Sequence, residues 1–368
     1  MKSDARILEL DGIRGLAILM VLVCHFFQNQ MATLRTPAAI YLSKALSLTW
    51  SGVDLFFVLS GFLICGILFD KRDSPDFFKT FYLRRTCRIF PLYFLVLGIF
   101  ILLAGRISVP LLFDNAMPLW TYATFTQNFA MIPYTEGTAY WLGATWSLAV
   151  EEQFYLLLPL IVFFAPRRAL LPICVAGILL AVGLRMFWPG HHAYLLMPWR
   201  ADSLLFGAVL ALLVREERFM EWVKVRRRGL LIVFFVLLAG AAAMTAKPWA
   251  PWARNHFWLA ALFSVFLLVA LTNAVPLLNR TLRSRFLVWM GAISYGVYLL
   301  HGAVLGLSHW WIGAKTPQIQ TWRDFFITLL AAFFTLALAT LSLTHFERPI
   351  LQFGQRFKYR KSELQQTR

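Results

Sequence analysis

The stretch LDGIRGLAILMVLVCHFF, residues 10–27, is apolar enough to cross a membrane, yet it carries an arginine and a histidine. Arg14 and His25 are separated by three α-helical turns plus about 20°, so the spacing predicts that they share one helix face about 16 Å apart. An ionisable side chain inside a span is costly and usually faces a cavity or a partner. The pair therefore indicates a helix that lines an internal functional site. The alternative is that Arg14 snorkels to the membrane surface and His25 makes a packing hydrogen bond.

The whole chain has the composition of an integral membrane protein. Its 368 residues are 60% hydrophobic and only 14% charged. The excess of 35 Lys and Arg over 18 Asp and Glu lies in short segments between apolar runs, where charges set membrane orientation. Nucleic-acid binding is therefore not expected. The four cysteines stand singly and the histidines lack metal-ligand spacing, so we expect neither a disulfide framework nor a bound metal.

Apolar stretches of about 17 to 25 residues, the length needed for a hydrocarbon core, predict an all-α bundle of ten membrane-spanning helices. The spans are predicted near residues 13–29, 51–69, 90–105, 145–165, 169–188, 198–214, 229–246, 257–275, 286–307 and 324–346. With both termini placed in the cytoplasm, 25 of the 35 Lys and Arg fall on the cytoplasmic side and 8 on the other. The sequence thus predicts a membrane domain over 1–349, followed by a short basic cytoplasmic tail over 350–368.

The second predicted span, GVDLFFVLSGFLICGILF (52–69), carries Asp54 near its outer end and Ser60 beside Gly61 halfway down. The small pair allows another backbone or a ligand to approach closely. Asp54 stands at a depth similar to that of His25, so we expect its carboxylate to orient the imidazole of His25. The alternative is that Asp54 only caps its helix.

A basic run, YLRRTCRIFPLYF (82–94), stands at the predicted cytoplasmic end of the third span. Arg85 and Arg88 are three residues apart, so their guanidinium groups can present to one polyanion, and this group suits phosphate oxygens. Two other interpretations are charges that only set the topology and contacts with lipid headgroups.

The fourth predicted span begins WSLAVEEQFYLLLP (146–159), with two adjacent glutamates in an otherwise apolar helix. Ser147, Glu151 and Tyr155 follow at intervals of four residues and form a polar stripe, whereas Glu152 points about 100° away. A glutamate in this setting is suited to proton transfer. The alternatives are a structural ion pair with Arg200 and a helix-capping role.

Two weaker signals lie in later spans. Arg200 stands two residues before Asp202 at the start of the sixth span, and the two could pair with each other. One interpretation of His301, in SYGVYLLHG, is a packing histidine, and it is also a substitute general base should His25 not be one. Neither signal assigns a function.

Taken together, these motifs resemble the acyltransferase-3 family of membrane acyltransferases. The resemblance rests on segments that follow in family order from residue 10 to about 349: LDGIRGLAILMVLVCHF, GVDLFFVLSGFLI, RRTCRIFPLYF, WSLAVEEQFYLLLP, SYGVYLLHG and ERP. It implies a ten-span protein of the cytoplasmic membrane that uses an acyl-CoA, usually acetyl-CoA, to O-acylate a carbohydrate of the cell envelope. The bilayer, the acyl-CoA and a glycan acceptor are therefore the expected partners.

The resemblance also carries roles onto residues of this chain. It implies that His25, Asp54 and Glu151 are catalytic, and that Arg14, Arg85 and Arg88 bind the acyl-CoA. We expect His25 either to act as general base on the acceptor hydroxyl or to carry the acyl group itself, with Asp54 or Glu151 tuning it. Acceptor-binding or supporting roles are expected for Glu152, Ser147, Tyr155, Arg200 and Ser60.

Some family members continue into an extracytoplasmic esterase-like domain. We expect this chain to lack one, which weighs against the two-domain peptidoglycan acetylases and leaves the acceptor to the membrane domain or a separate partner. Buried charges also fit a transporter or flippase of an anionic or lipid-linked substrate, or a sensor that binds lipid headgroups. The lack of an internal repeat argues against a transporter, and thioester consumption would separate an enzyme from both.

Overall fold

The computed structural model describes residues 7–31, 36–133, 138–190, 192–246, 253–313 and 316–360. These residues form helices and connecting loops and include no strand. Within them, nine helical segments are long and apolar enough to cross a membrane, and one bent helix pair is a tenth candidate. The protein is therefore an all-α, multi-pass membrane bundle, as the sequence predicts.

Ten long helices, numbered α1 to α10, correspond to the ten predicted spans. Their bounds are α1 Leu8–Val23, α2 Gly52–Lys71, α3 Phe77–Ala104, α4 Trp146–Phe164, α5 Arg167–Phe187, α6 Met197–Leu213, α7 Arg227–Ala246, α8 Ala253–Leu271, α9 Arg285–Gly313 and α10 Trp322–Leu341. The largest difference from the prediction is in α3, which begins well before residue 90. The basic run is too polar to count as hydrocarbon-spanning, but it continues the same helix.

Shorter helical segments connect or extend the long helices. The α-helical ones are Pro37–Leu46, Pro110–Phe113, Leu119–Ala123, Gln127–Ala130, His192–Leu195, Glu217–Val225, Pro276–Leu282 and Arg348–Gln355. Two 3₁₀ turns, Ser47–Ser51 and Gly143–Thr145, lead into α2 and α4. Two π-helical turns, Cys24–Gln28 and Ser342–Glu347, follow α1 and α10.

Glycines set the closest helix crossings in the bundle. A Cβ added to Gly61 of α2 would stand only 1.8 Å from the carbonyl oxygen of Leu204 on α6. A Cβ on Gly15 of α1 would stand 2.0 Å from the carbonyl oxygen of Leu287 on α9. The backbones can approach this closely only because no side chain intervenes. This confirms the predicted close approach of another backbone at the Ser60–Gly61 pair.

Two of the predicted spans depart from a regular α-helix near one end. The first leaves α-helical geometry at Cys24, immediately before His25, so the angle predicted between Arg14 and His25 does not apply there. The span predicted over 257–275 is a single helix as far as Leu271, so only its last residues depart from the prediction. Beyond it the chain bends by 96° between Asn255–Leu271 and the following helix, Pro276–Leu282. Asn273 takes a left-handed conformation with φ of 50°, and the proline cannot continue the preceding helix.

The basic C-terminal segment packs against the bundle as far as it is described. Helix Arg348–Gln355 lies against α3, and Nε of Arg84 donates to the carbonyl oxygen of Phe357 at 2.7 Å. The Arg360 guanidinium hydrogen-bonds to Asp76 and holds the pKa of that carboxyl below its usual range. This segment therefore holds the basic end of α3 in place. Residues 361–368 of the predicted tail lie outside the described residues.

Candidate active site

A cavity of about 130 Å³ lies where α1, α2, α3, α4 and α9 meet. Its wall collects most of the residues that the sequence singled out, and we call it the arginine cavity. The predicted residues that line it are Arg14, Ser60, Arg85, Arg88, Ser147, Glu151 and Tyr155. The fold thus brings predicted site residues from helices that are far apart in the sequence into one cavity.

The three arginines of this cavity form no ion pair with a carboxylate among the described residues. The guanidinium carbon of Arg85 lies 4.0 Å from the centroid of the Tyr155 ring, and the Tyr155 hydroxyl hydrogen-bonds to Ser60. Nε of Arg85 is buried and has no hydrogen-bond partner in the described part of the chain. A buried donor without a partner is costly, so the arrangement suits an anionic ligand.

The polar stripe predicted on α4 is confirmed. Ser147, Glu151 and Tyr155 all face the arginine cavity, whereas Glu152 lines a separate cavity of about 230 Å³ between α3, α4 and the loop at Phe125. Arg85 and Tyr155 border both spaces. Adjacent glutamates therefore serve different cavities, as the helical period requires.

A larger cavity of about 610 Å³, here called the histidine cavity, is lined by His25 together with aromatic and small residues. It shares Val53 and Tyr298 with the arginine cavity. Arg14 and His25 thus line two spaces that have wall residues in common. His25 itself lies in the π-helical turn, an irregularity that is frequent at functional sites.

His25 is held by a second histidine that the sequence analysis interpreted as a packing residue or a substitute base. Nδ1 of His25 lies 2.7 Å from Nε2 of His301, and Nδ1 of His301 lies 2.6 Å from the carbonyl oxygen of Tyr298. A carbonyl only accepts, so Nδ1 of His301 carries a proton and its Nε2 accepts in the neutral ring. Nδ1 of His25 must then be the donor. Nε2 of His25 keeps its lone pair and hydrogen-bonds to none of the described residues.

The expectation that Asp54 orients His25 is wrong. One oxygen of Asp54 accepts from Arg200 at 2.8 Å and from Ser203 at 3.2 Å, and it lies 3.2 Å from Nδ1 of His256. The other oxygen has no partner among the described residues. Asp54 is therefore the counter-ion of Arg200. A role for Glu151 in tuning His25 also lacks a contact, because the two line different cavities.

The suggested pairs of Arg200 with Asp202, or with a glutamate of α4, are also wrong. Two residues apart on a helix, Arg200 and Asp202 point to different sides, so each finds its partner on another element. Asp202 accepts from Arg185 of α5, and the side chains of both residues are fully buried. Helices α2, α5, α6 and α8 are thus joined through two buried ion pairs and His256. Sequence reasoning missed Arg185 and His256 because their partners lie on other helices.

The described residues contain no group of three His, Cys, Asp or Glu side chains that could hold a metal ion. The arrangement instead joins two kinds of chemistry. One cavity offers unpaired guanidinium groups, and the next offers an imidazole with a free lone pair. Such a pair of spaces can bind an anionic substrate and accept a proton next to it.

A family model described as an acyltransferase domain matches residues 7–343, and the chain belongs to this acyltransferase family. It is 27% identical to the peptidoglycan O-acetyltransferase OatA of Listeria monocytogenes over 94% of this chain and 56% of that protein. It is 27% identical to the putative peptidoglycan O-acetyltransferase YrhL of Bacillus subtilis over 94% of this chain and 55% of the relative. It is 24% identical to a putative O-acetyltransferase of Staphylococcus aureus over 88% of this chain and 55% of that protein.

The comparisons confirm the resemblance to the acyltransferase-3 family. The chain spans about half the length of the curated relatives it matches. Two of these relatives bear the name of peptidoglycan O-acetyltransferases, the group that the sequence analysis weighed against. No solved structure matches the chain.

Proposed function

We propose that this chain is an O-acyltransferase of the cytoplasmic membrane. It moves an acyl group, preferably acetyl, from cytoplasmic acyl-CoA to a hydroxyl of a cell-envelope or secreted glycan. One observation carries the proposal. A cavity with three arginines that form no ion pair shares wall residues with a cavity lined by His25, whose Nε2 bonds to no described residue.

The donor end of the reaction is assigned to the arginine cavity. Acyl-CoA carries phosphates at one end and the thioester at the other, so one site must bind anions while the next does the chemistry. Arg85 and Arg88 would hold phosphate oxygens, and the unpartnered Nε of Arg85 is a donor that such an oxygen would satisfy. Arg14 extends the same positive surface along α1. Glu151 offsets part of this charge before the donor arrives.

The transfer step is assigned to Nε2 of His25. It accepts the proton of the acceptor hydroxyl while the hydroxyl oxygen attacks the thioester carbonyl carbon. The carbon–sulfur bond then breaks, and the departing thiolate takes the proton from His25. The products are the acyl ester and the CoA thiol. Throughout, Nδ1–H of His25 donates to Nε2 of His301, which fixes the ring orientation and supports the transient imidazolium. The alternative, an acyl group carried on His25, would use the same lone pair.

The proposed orientation places the arginine cavity toward the cytoplasm, where CoA is found. It rests on the excess of Lys and Arg on that side. A cysteine introduced as Asp114→Cys should react with an impermeant thiol reagent on intact cells, whereas Arg226→Cys should react only after permeabilisation. Both positions are exposed, and the unmodified chain provides the blank. The reverse labelling pattern would overturn the two-sided mechanism.

His25→Ala tests the chemical step in proteoliposomes supplied with acetyl-CoA and an envelope glycan extract. Thioester consumption and acyl transfer should fall at least about a hundredfold, because a general base contributes at that scale. Affinity for acetyl-CoA, measured by calorimetry, should stay near the wild-type value, because the imidazole acts in the chemical step.

His345→Ala is the matched control, since His345 is exposed and lines neither cavity. It should behave as wild type. Substantial acyl transfer by His25→Ala at equal expression would make His25 a packing residue. Substrate translocation without thioester consumption in the wild type would favour a transporter instead.

A further inference from the structure

The histidine cavity differs in chemistry from the site proposed for the acyl donor. Among the described residues its lining includes no Arg, Lys, Asp or Glu, and His25 is the one histidine there. Trp50, Trp146, Tyr194 and Tyr298 supply large aromatic surfaces around it. At about 610 Å³ it falls within the range of small-molecule sites, roughly 300–1,000 Å³. These features favour a neutral ligand with both apolar and polar surfaces.

Three of the four aromatic residues of this cavity, Trp50, Trp146 and Tyr194, form one connected group. The rings of Trp146 and Tyr194 have centroids 4.5 Å apart and are tilted by 44°. Trp50 meets the ring of His256 edge-on, with centroids 5.5 Å apart, and Tyr194 lies 6.1 Å from the same ring. His256 therefore joins Trp50 to the other two aromatic residues from behind the cavity wall.

The buried Asp54–Arg200 ion pair packs behind the aromatic wall, on the side away from the cavity. The guanidinium carbon of Arg200 lies 5.9 Å from the Trp146 ring centroid and 5.6 Å from that of Tyr194. Arg200 is fixed in turn by Asp54, and neither lines the cavity. The ion pair thus immobilises the aromatic side chains, which lowers the entropy lost when a ligand stacks on them.

Polar groups stand at the edges of the aromatic surface. The indole nitrogens of Trp50 and Trp146 and the amide nitrogen of Asn29 donate to no described residue. His25, whose Nε2 hydrogen-bonds to none of the described residues, lines the same space. The cavity therefore combines ring faces for apolar contact with donors at their rims and an acceptor for one proton.

We propose that the histidine cavity binds a pyranose ring, stacked on the Trp50, Trp146 and Tyr194 side chains with one hydroxyl directed at His25. This deepens the proposed function and rests on it. The C–H face of a pyranose is apolar and packs on an aromatic ring, while its equatorial hydroxyls pair with donors at the edge. A rigid ring also loses less entropy on stacking than an open-chain polyol does.

Saturation-transfer NMR on the full chain in detergent tests the proposal with defined probes. The probes are the methyl pyranosides of glucose, N-acetylglucosamine, mannose and rhamnose, with mannitol as the open-chain polyol. At least one pyranoside should bind, and mannitol should bind at least about fivefold more weakly. Trp50→Leu should weaken pyranoside binding about tenfold, and Trp50→Phe should keep most of the affinity because it retains a ring face.

Trp322→Leu is the matched control, since Trp322 is 78% exposed and lines neither cavity. It should bind the pyranosides as wild type does. Binding of acetyl-CoA, measured separately by calorimetry, should be unchanged in all three variants. Failure of the wild type to bind any of the pyranosides would overturn the inference, as would wild-type affinity in Trp50→Leu. If the wild type neither bound acetyl-CoA nor consumed its thioester, the proposed function itself would be refuted.

Discussion

Two sets of arginines lie inside the bundle, and they differ in what neutralises them. Arg185 and Arg200 each pair with an aspartate, and the four side chains are at most 1% exposed. The arginines of the arginine cavity, Arg14, Arg85 and Arg88, pair with no carboxylate among the described residues. The paired set joins helices, whereas the unpaired set is the one that we propose binds the acyl donor.

The comparison shows that depth alone does not identify a functional charge. An ionised group inside a membrane protein needs compensation, and an aspartate on a neighbouring helix provides it permanently. In the wall of a cavity, a reversibly bound anionic ligand can neutralise the charge instead. The partner of a buried arginine, rather than its presence in a span, therefore separates a structural from a ligand-binding role.

Breaking the Asp54–Arg200 pair should have the largest effect on stability. Asp54→Asn leaves a buried guanidinium without its counter-ion, which costs about 3–5 kcal/mol. The expected result is a large drop in Tm of the detergent-solubilised protein, measured by thermal unfolding. The double variant Asp54→Leu with Arg200→Met removes both charges and should recover much of this loss. An unchanged Tm in Asp54→Asn would show that Arg200 does not depend on the pair.

Substitutions in the unpaired set should lower ligand affinity and leave stability unchanged. Replacing both Arg85 and Arg88 by lysine keeps the charges but removes the bidentate geometry that suits phosphate. Acetyl-CoA affinity, measured by calorimetry, should fall at least about tenfold, equivalent to about 1.4 kcal/mol, while Tm stays near the wild-type value.

Arg84→Lys is the control for this double variant, because Arg84 bonds to the Phe357 carbonyl and does not line the arginine cavity. Its acetyl-CoA affinity should match that of wild type. Unchanged acetyl-CoA binding in the double variant would mean that Arg85 and Arg88 only set the orientation of the protein in the membrane.

The spans were predictable because a hydrophobic stretch and its length follow directly from the sequence. So was the polar stripe of α4, since the helical period alone places Ser147 and Glu151 on one face. The breaks in these helices were harder to foresee. The π-helical turn at His25 leaves no mark in a hydropathy pattern, and the left-handed Asn273 was overlooked within an apolar run.

The pairing of charges was not predictable from spacing. Asp54 and Arg200 are 146 residues apart, and His25 and His301 are 276 apart, so only the tertiary packing brings them together. Local reasoning therefore paired Asp54 with His25, which lies at a similar depth, and Arg200 with the nearby Asp202. An isolated charge in a span signals that a partner exists, but it does not name the partner.

The smallest effect on stability is expected when an aspartate is replaced in a solvent-exposed ion pair. Asp73 accepts from Arg167 at 2.7 Å, and their side chains are 56% and 53% exposed. Asp73→Asn makes the same chemical change as Asp54→Asn, but water solvates the arginine that is left behind. The free energy of unfolding should change by less than about 1 kcal/mol, and salt should reduce the difference further. A loss comparable to that of Asp54→Asn would mean that burial does not decide the cost, and the distinction between the two arginine sets would then need another basis.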